Sequence, residues 1–559
     1  MATPTTGTDA VSVPLTGNTA VDSLLYGNKW ASPVLTYSFP NTSSQWSTNS
    51  VTGYPVSFSS EPYSPFFTAF GAAAQVAARS ALQKWANVAR LTLAETADSG
   101  NNVGDIRFAF TDVGNAQAHA YSPGVAIGGD VWFSYSERNR SFAEGSYDYM
   151  TLVHETGHAL GLKHNFSGVS GNGTVLTGAL DNQSYTIMSY AALAGDQDTD
   201  FTYRPTTPMR LDIQAMQYLY GANTDYNAGN TAYIYAQNAD YHQTIWDGGG
   251  IDGISYSGLD NAVIDLRAGS GSMLGNAVYV INSFGTRLQQ VSNVWIADNV
   301  TIENGTGGGG NDRLTGNAVA NKLDAGAGND TLTGAGGYDR IEGGTGTDTA
   351  VFSGAASDYL VLFNAATGRY SVGDRLGLPR DAVDVVSGVE QFQFSDGARA
   401  VGSLTLGTAV TGNARTVLGV SEAFYGFGPG TSQYSSSLAT VTSQGASAFA
   451  IGVGQAFMGV AAATLAQDVL TRLAVETNTL GGPDPAASYA AIRDALATIF
   501  SVYSDARGQV VLNLINLLAG LETDTVYGQA AATVTNRLTM DYNNLGPIAL
   551  VGTAAEPGA

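Results

Sequence analysis

Residues 307 to 351 divide without remainder into five nonapeptides, GGGGNDRLT, GNAVANKLD, AGAGNDTLT, GAGGYDRIE and GGTGTDTAV. Asp312, Asn321, Asp330, Asp339 and Asp348 share one column, and Leu314, Leu323, Leu332, Ile341 and Ala350 share a second column two residues later. This register is that of a parallel β-roll, in which a six-residue glycine-rich loop alternates with a short strand whose apolar residue points inward. Successive turns fall on opposite sides of such a roll. Residues 18 apart therefore face one another: Asp312 with Asp330, Asp330 with Asp348, Asn321 with Asp339. The loops add carbonyl oxygens from Gly307, Gly308, Gly310, Gly326, Gly328, Gly337, Gly344 and Gly346. Oxygen-only ligands in flexible loops suit calcium far better than zinc. A plain glycine-rich linker does not explain a five-fold register. The second repeat is the poorest, because Val319 occupies a glycine position and Asn321 replaces aspartate. With so many carboxylates and glycines, the roll is expected to be ordered with calcium and largely disordered without it.

The rest of the chain is bounded by composition. At 559 residues it is too long for one core, and about 150 residues per domain suggests three or four units. There is no cysteine, which removes disulfides and thiolate metal sites. A net charge of −23 with four lysines (Lys29, Lys84, Lys163, Lys322) disfavours nucleic acid and favours divalent cations as partners. MATPTTGTDAVSV has neither a basic n-region nor an apolar h-region, so no cleavable signal peptide is expected there. Residues 445 to 466 are uncharged and long enough for a bilayer, but they are Ala- and Gly-rich with Gln455 in the middle, and a packed helix is expected. Helical spacing runs from 64 to 92 and from about Tyr147 through Leu160, while DIRFAFTDV, AHAYSPG and GGDVWFSY read as strands. The expected order is an N-terminal extension (1–20, a candidate propeptide), an α+β domain (21–222), an all-β roll and sandwich (223–403) and an Ala-rich helical domain (404–559).

The chemistry concentrates in VHETGHALGLKH, which holds three of the five histidines. His154 and His158 are four apart, so on a helix their imidazoles leave one face a turn apart, the spacing that grips a tetrahedral metal. Glu155 lies beside them, able to reach the attacking water without being a ligand. Gly161 lets the chain leave the helix in a left-handed conformation and bring His164 to the same metal. Three imidazoles, an open fourth position and an adjacent carboxylate describe a catalytic zinc. His119 and His242 lack ligand spacing and read as structural.

The string His154-Glu155-x-x-His158-x-x-Gly161-x-x-His164 is the metzincin pattern. SYTIMSY places Met188 24 residues after His164, where metzincins make a Met-turn, and Tyr190 follows two residues later. TPMRLDIQAMQYLYGAN resembles the helix closing the catalytic domain of serralysins, TIWDGGGIDGISYSG the entry into their calcium-binding β-roll, and GNKWASPVLTYSFP their first strand. The resemblance covers roughly residues 20 to 400. It implies an α+β metzincin catalytic domain with one catalytic zinc on His154, His158 and His164, several structural calcium ions, and Tyr190 as a displaceable zinc ligand that hydrogen-bonds the oxyanion. It also implies a monomer secreted by a Gram-negative bacterium through a type I exporter that reads an uncleaved C-terminal signal. Two departures stand out. Asn165 replaces the proline common after the third histidine, and the chain ends IALVGTAAEPGA instead of in an acidic-then-apolar tetrapeptide.

The reading that follows is zinc-dependent hydrolysis of peptide bonds in extracellular proteins, with Glu155 as general base and Tyr190 stabilising the oxyanion. Substrate is expected to lie extended along an edge strand at Ala118, His119, Ala120 and Tyr121, held by backbone hydrogen bonds. The rival is a non-catalytic surface-layer or adhesion-type protein with a vestigial metal site, against which an intact Glu155 argues. Residues 404–559, faintly similar to surface-layer helices, carry the export signal, attach the enzyme to the cell surface, or form a helical appendage.

Overall fold

The computed structural model describes residues 9–48, 53–57, 60–100, 102–124, 127–290, 292–376, 380–482 and 484–545. The closing IALVGTAAEPGA and the first eight residues lie outside them. The chain divides into two compact units, Met1–Asp252 with Ala268–Ile302, and Gly253–Arg267 with Glu303–Ala559.

The first unit is built on a mixed sheet in the order β2-β1-β3-β5-β4, where β1 is Val34–Ser38, β2 Thr92–Glu95, β3 Ile106–Thr111, β4 Ala118–Ala120 and β5 Asp130–Ser134. β4 runs antiparallel to β5 at the sheet edge, and the other pairs are parallel. Every residue of β3 is buried, as a strand covered on both faces requires. Helix α1 (Ala72–Val88) buries Ala74, Ala77, Ala78, Ala81, Leu82, Trp85 and Val88, a stripe at helical spacing.

The helix expected from residue 64 begins only at Ala72. Thr68 and Ala69 pair with Phe110 and Ala109 of β3, and Phe70 packs against Phe108, Phe110 and Phe133. Burial of Phe70 in this aromatic cluster draws the preceding segment into the sheet. Helix α2 (Tyr147–Ala159) carries the histidine pair, and α3 (Arg210–Tyr220) follows the Met-turn region.

In the second unit the roll's two faces are parallel sheets. Arg313–Thr315, Thr331–Thr333, Thr349–Val351 and Gln391–Phe394 form one; Asn304–Thr306, Lys322–Asp324, Arg340–Glu342 and Val383–Ser387 form the other. Leu314, Leu323, Leu332, Ile341 and Ala350 are fully buried between them. An antiparallel hairpin, Tyr359–Asn364 with Arg369–Asp374, continues the second sheet.

Among the described residues seven helices follow: α4 (Gly412–Tyr425), α5 (Thr431–Gln444), α6 (Ala446–Gly454), α7 (Ala462–Arg472), α8 (Pro485–Val502), α9 (Arg507–Ala519) and α10 (Gly528–Asn544). They share a core that includes Leu418, Leu470, Phe500, Ile515 and Leu538. Helix α10 seats on the roll's closing strands, with Asn536 Nδ2 donating to Ser371 O at 2.8 Å and Gln529 Nε2 to Tyr338 O at 3.1 Å. Segment 445–466, expected as one packed helix, is divided between α6, a short 3-10 turn at Gln455–Phe457, and α7. Gly454 lies against the Gly508 backbone so closely that a Cβ would not fit, which lets α6 and α9 meet, and the chain leaves the helical conformation at Ala461 before α7 begins. Among the described residues no helix is long and apolar enough to cross a membrane.

Candidate metal centre

Helix α2 starts at Ser146, whose hydroxyl accepts from Tyr149 N at 3.2 Å. Carbonyls near its far end are satisfied by aromatic donors. Trp30 Nε1 donates to Ala159 O at 2.8 Å and the Tyr220 hydroxyl to Leu160 O at 2.8 Å, while Trp85 Nε1 ties Val153 O to α1 at 3.0 Å. At Gly161 the backbone turns to φ +111°, and a Cβ would lie 2.6 Å from Asn28 O. Only glycine fits that exit, which swings His164 back over the helix. Gly161→Ala is expected to destabilise the unit by about 2–3 kcal/mol, read as a shift of its urea midpoint.

The three histidines converge. His154 Nε2 lies 3.1 Å and His158 Nε2 3.0 Å from His164 Nε2. His154 Nδ1 bonds Ile187 O at 2.7 Å and His158 Nδ1 bonds Leu162 O at 2.9 Å. Each Nδ1 must therefore carry the proton, leaving Nε2 as a lone pair. Burial holds all three neutral: His154 is pushed well below its ordinary value, His158 to about 4 and His164 to about 3. Lone pairs facing one another at this distance repel unless a cation lies between them. Three nitrogens about 2.0–2.1 Å from a tetrahedral zinc are roughly 3.3 Å apart, within a few tenths of an ångström of the two separations here. The donor set fits zinc.

Glu155 is buried beside them, and its Oε2 has no hydrogen-bond partner among the described residues. Burial alone pushes its carboxyl up to about 8. The Tyr190 hydroxyl lies 3.0 Å from His164 Nε2, and the residue is 48% exposed. Burial, then the nearby Glu155 and Tyr147, raise it to about 12, so it is a protonated donor at neutral pH. These groups open on a cleft of about 270 Å³ lined by Ala118, Tyr147, Thr151, His154, Glu155 and Tyr190.

Of the expected substrate strand, Ala118 lines this cleft. His119 Nε2 lies 3.4 Å from Glu61 Oε1, Tyr121 Oη donates to the same oxygen at 2.8 Å, and Ala120 is paired with Val131. His242 is buried against Phe201 and Trp295 with Nδ1 on Tyr203 O, apart from the metal cluster.

Met188 is fully buried under the site. A Cβ on Gly157 would lie 3.1 Å from its sulfur and 3.0 Å from Trp85 Cζ2, which makes that glycine part of the site. The Met-turn is held by a residue sequence reasoning missed. Asp212 of α3 accepts from Thr186 Oγ1 (2.6 Å), Ile187 N (2.8 Å) and Met209 N (2.8 Å). Asp212→Ala leaves three buried donors unpaired and is expected to cost at least about 3 kcal/mol of stability, measured by thermal unfolding.

In the roll, the facing pairs are in direct contact. Asp312 N donates to Asp330 Oδ1 (2.6 Å), Asp330 N to Asp348 Oδ1 (2.8 Å), and Asn321 N to Asp339 Oδ1 (2.7 Å). The second carboxylate oxygens of Asp330, Asp339 and Asp348 are buried without a hydrogen-bond partner among the described residues. A Cβ at Gly307 would lie 2.6 Å from Asp312 Oδ2. Glycine loops wrapped around partnerless carboxylate oxygens fit calcium.

Gly326, Gly328, Gly337, Gly344 and Gly346 take positive φ, and Gly310 O packs against Gly328 where a side chain would collide. Gly308 O and Gly326 O also accept inter-turn bonds from Ala327 N and Thr345 N. Asn321 turns its amide nitrogen to Glu303 O at 3.0 Å, so in the second repeat one of the two side-chain oxygens of an aspartate is replaced by a donor. Both acidic columns continue past the nonapeptides: Asp339 N donates to Asp384 Oδ1 at 3.0 Å and Asp348 N to Glu390 Oε2 at 2.8 Å. The inserted hairpin removes the period of nine that would have revealed them.

Comparison with known families places two matches in this order. Residues 45–170 match the family described as Matrixin, and residues 210–398 match Peptidase M10 serralysin C terminal. The chain is 37% identical over 279 residues to Metalloprotease AprA of Pseudomonas entomophila (strain L48), covering 44% of this chain and 53% of that protein. It is 34% identical over 287 residues to Serralysin of Proteus mirabilis (44% and 54%) and 38% identical over 275 residues to Serralysin C of Dickeya chrysanthemi (44% and 54%). It spans about half the length of the curated relatives it matches. The residues that match Matrixin bear the three convergent histidines, and the residues that match the serralysin C-terminal domain follow them along the chain.

Proposed function

We propose that the chain is a secreted zinc endopeptidase that hydrolyses peptide bonds of extracellular proteins and is stabilised by calcium in its roll. The observation that carries this reading is the convergence of three neutral imidazoles beside a buried carboxylate whose Oε2 has no hydrogen-bond partner among the described residues. His154, His158 and His164 would hold the zinc, which when bound supplies a Lewis acid for a carbonyl and acidifies a water molecule. Glu155 takes a proton from the attacking water as the C–O bond forms and the carbonyl π pair moves onto its oxygen, then gives that proton to the amide nitrogen, so that collapse of the oxyanion breaks the C–N bond and releases the amine. Burial pushes its carboxyl up to about 8, which raises its proton affinity, and a cation held by the three imidazoles would lower it in favour of the carboxylate. Tyr190 donates its hydroxyl proton in a hydrogen bond to the oxyanion as charge develops there. Ala118, on the edge strand lining the cleft, offers backbone for an extended substrate.

We place the protein outside a Gram-negative cell after passage through a type I exporter, acting as a monomer. Calcium supplies the timing, because the carboxylate columns stay unfolded where the ion is scarce and close where it is plentiful. The reading is tested with casein: 1,10-phenanthroline is expected to stop its cleavage, and one equivalent of zinc to restore it. Cleavage indifferent to the chelator would overturn the assignment.

A further inference from the structure

His154 and His158 are each oriented by a ring nitrogen bonded to a backbone carbonyl, but among the described residues no such bond holds Nδ1 of His164. Its ring instead stacks on Phe166, with centroids 5.1 Å apart and planes within 6°. What fixes this third ligand must act through the neighbouring chain. Asn165, immediately after it, is fully buried and donates from Nδ2 to Asp181 Oδ1 at 2.6 Å. Ser189, immediately before Tyr190, donates from Oγ to the same oxygen at 2.8 Å.

We propose that Asp181 is a positioning residue that locks His164 and Tyr190 into register by joining Asn165 to Ser189. The proposal rests on the zinc-site reading above. Both segments it joins are already stiff. Asn165 O accepts Leu176 N at 2.7 Å, and Lys163 Nζ donates to Ser23 O, Ser167 O and Thr174 O at 2.6, 2.9 and 2.8 Å. On the other side, Gln183 N donates to Ala191 O at 2.8 Å and Gln183 Nε2 to Ser189 O at 3.2 Å. Each segment is braced within itself, and one carboxylate oxygen accepting two charge-assisted bonds sets their separation. A proline after the third histidine has no side-chain donor, so the clamp belongs to a chain with Asn165. Asp181 touches neither metal nor substrate; it acts through its two partners.

Four variants test this: Asp181→Ala, Asp181→Asn, Asn165→Ala and Ser189→Ala, each as the full calcium-loaded chain. Zinc release to a chromogenic chelator, kcat and KM on a peptide, and unfolding of the zinc-free form are measured side by side. Asp181→Ala is expected to release zinc roughly 10–100-fold faster, the usual cost of losing an outer-shell partner, with kcat lowered and KM little changed. Asp181→Asn keeps the accepting oxygen and should stay close to the parent. Asn165→Ala should mainly speed zinc release, and Ser189→Ala should mainly lower kcat, a split that general destabilisation would not produce.

Parent-like release and kcat in Asp181→Ala would overturn the proposal. So would equal losses in all variants that track a lower stability of the zinc-free form. A parent that takes up no zinc overturns the underlying reading and this one with it, whereas a zinc-loaded active parent with a silent Asp181→Ala overturns the clamp alone.

Discussion

Glu155→Gln is expected to lower kcat/KM for peptide hydrolysis by roughly 10²–10⁴-fold while the protein keeps its zinc. The substitution preserves shape in a buried pocket and removes the basic oxygen, so the loss reports proton transfer rather than packing. Glu155 is suited to this test because its Oε2 has no competing hydrogen-bond partner among the described residues and its perturbation comes from burial alone. The three imidazoles are held by Ile187 O, Leu162 O and the Gly161 turn, none of which involves the carboxylate. Zinc content by atomic absorption and kcat/KM on a fluorogenic peptide give the answer together. A variant that keeps its zinc and its activity would remove Glu155 from the mechanism.

The second large effect is calcium removal. Asp330, Asp339 and Asp348 each bury a carboxylate oxygen with no hydrogen-bond partner among the described residues, and Asp384 is buried behind Asp339. Burial pushes Asp330 up to about 6 and raises Asp339, Asp348 and Asp384 as well. At neutral pH these carboxylates repel unless a cation joins them. One site at calcium 100-fold above its Kd contributes about 2.7 kcal/mol, so three contribute about 8 kcal/mol. Chelation is therefore expected to lower the Tm of the roll unit by at least about 15 °C and to remove its β-sheet circular dichroism.

The sign of the pH dependence follows from the raised carboxyls. A group whose folded pKa lies above its unfolded value favours the fold while protonated and loses that contribution as pH rises through the folded value. The calcium-free protein should accordingly regain stability as pH falls from 7 toward 5, read by thermal unfolding at each pH. A chelated protein with unchanged Tm at neutral pH would show that calcium does not hold the roll.

What sequence made legible and what it hid divide along contact range. His154, Glu155, His158 and Gly161 lie within one helix and its exit, so spacing alone gave their geometry, and the backbone at Gly161 accounts for His164. The nonapeptide register put Asp312 opposite Asp330 and Asn321 opposite Asp339 because every turn has the same length. Asp212 and Asp181 stay hidden in sequence, since each reaches the Met-turn from a different segment with no periodic mark. Asp384 and Glu390 are hidden for another reason: the Tyr359–Asp374 hairpin interrupts the repeat before they resume its columns. Local propensity misled where tertiary packing won, at residues 64–71, where Thr68 and Ala69 pair with the sheet beside buried Phe70, and at 445–466, where Gly454 and Gly508 bring two helices into contact.

The most direct test of the central claim is casein digestion by the calcium-loaded, zinc-reconstituted protein in ¹⁸O-enriched water, with the products read by mass spectrometry. A water-activating endopeptidase places one ¹⁸O in each new C-terminal carboxyl, and internal peptide bonds are cut only when zinc is present. A folded protein holding one zinc per chain that leaves casein intact would contradict the account.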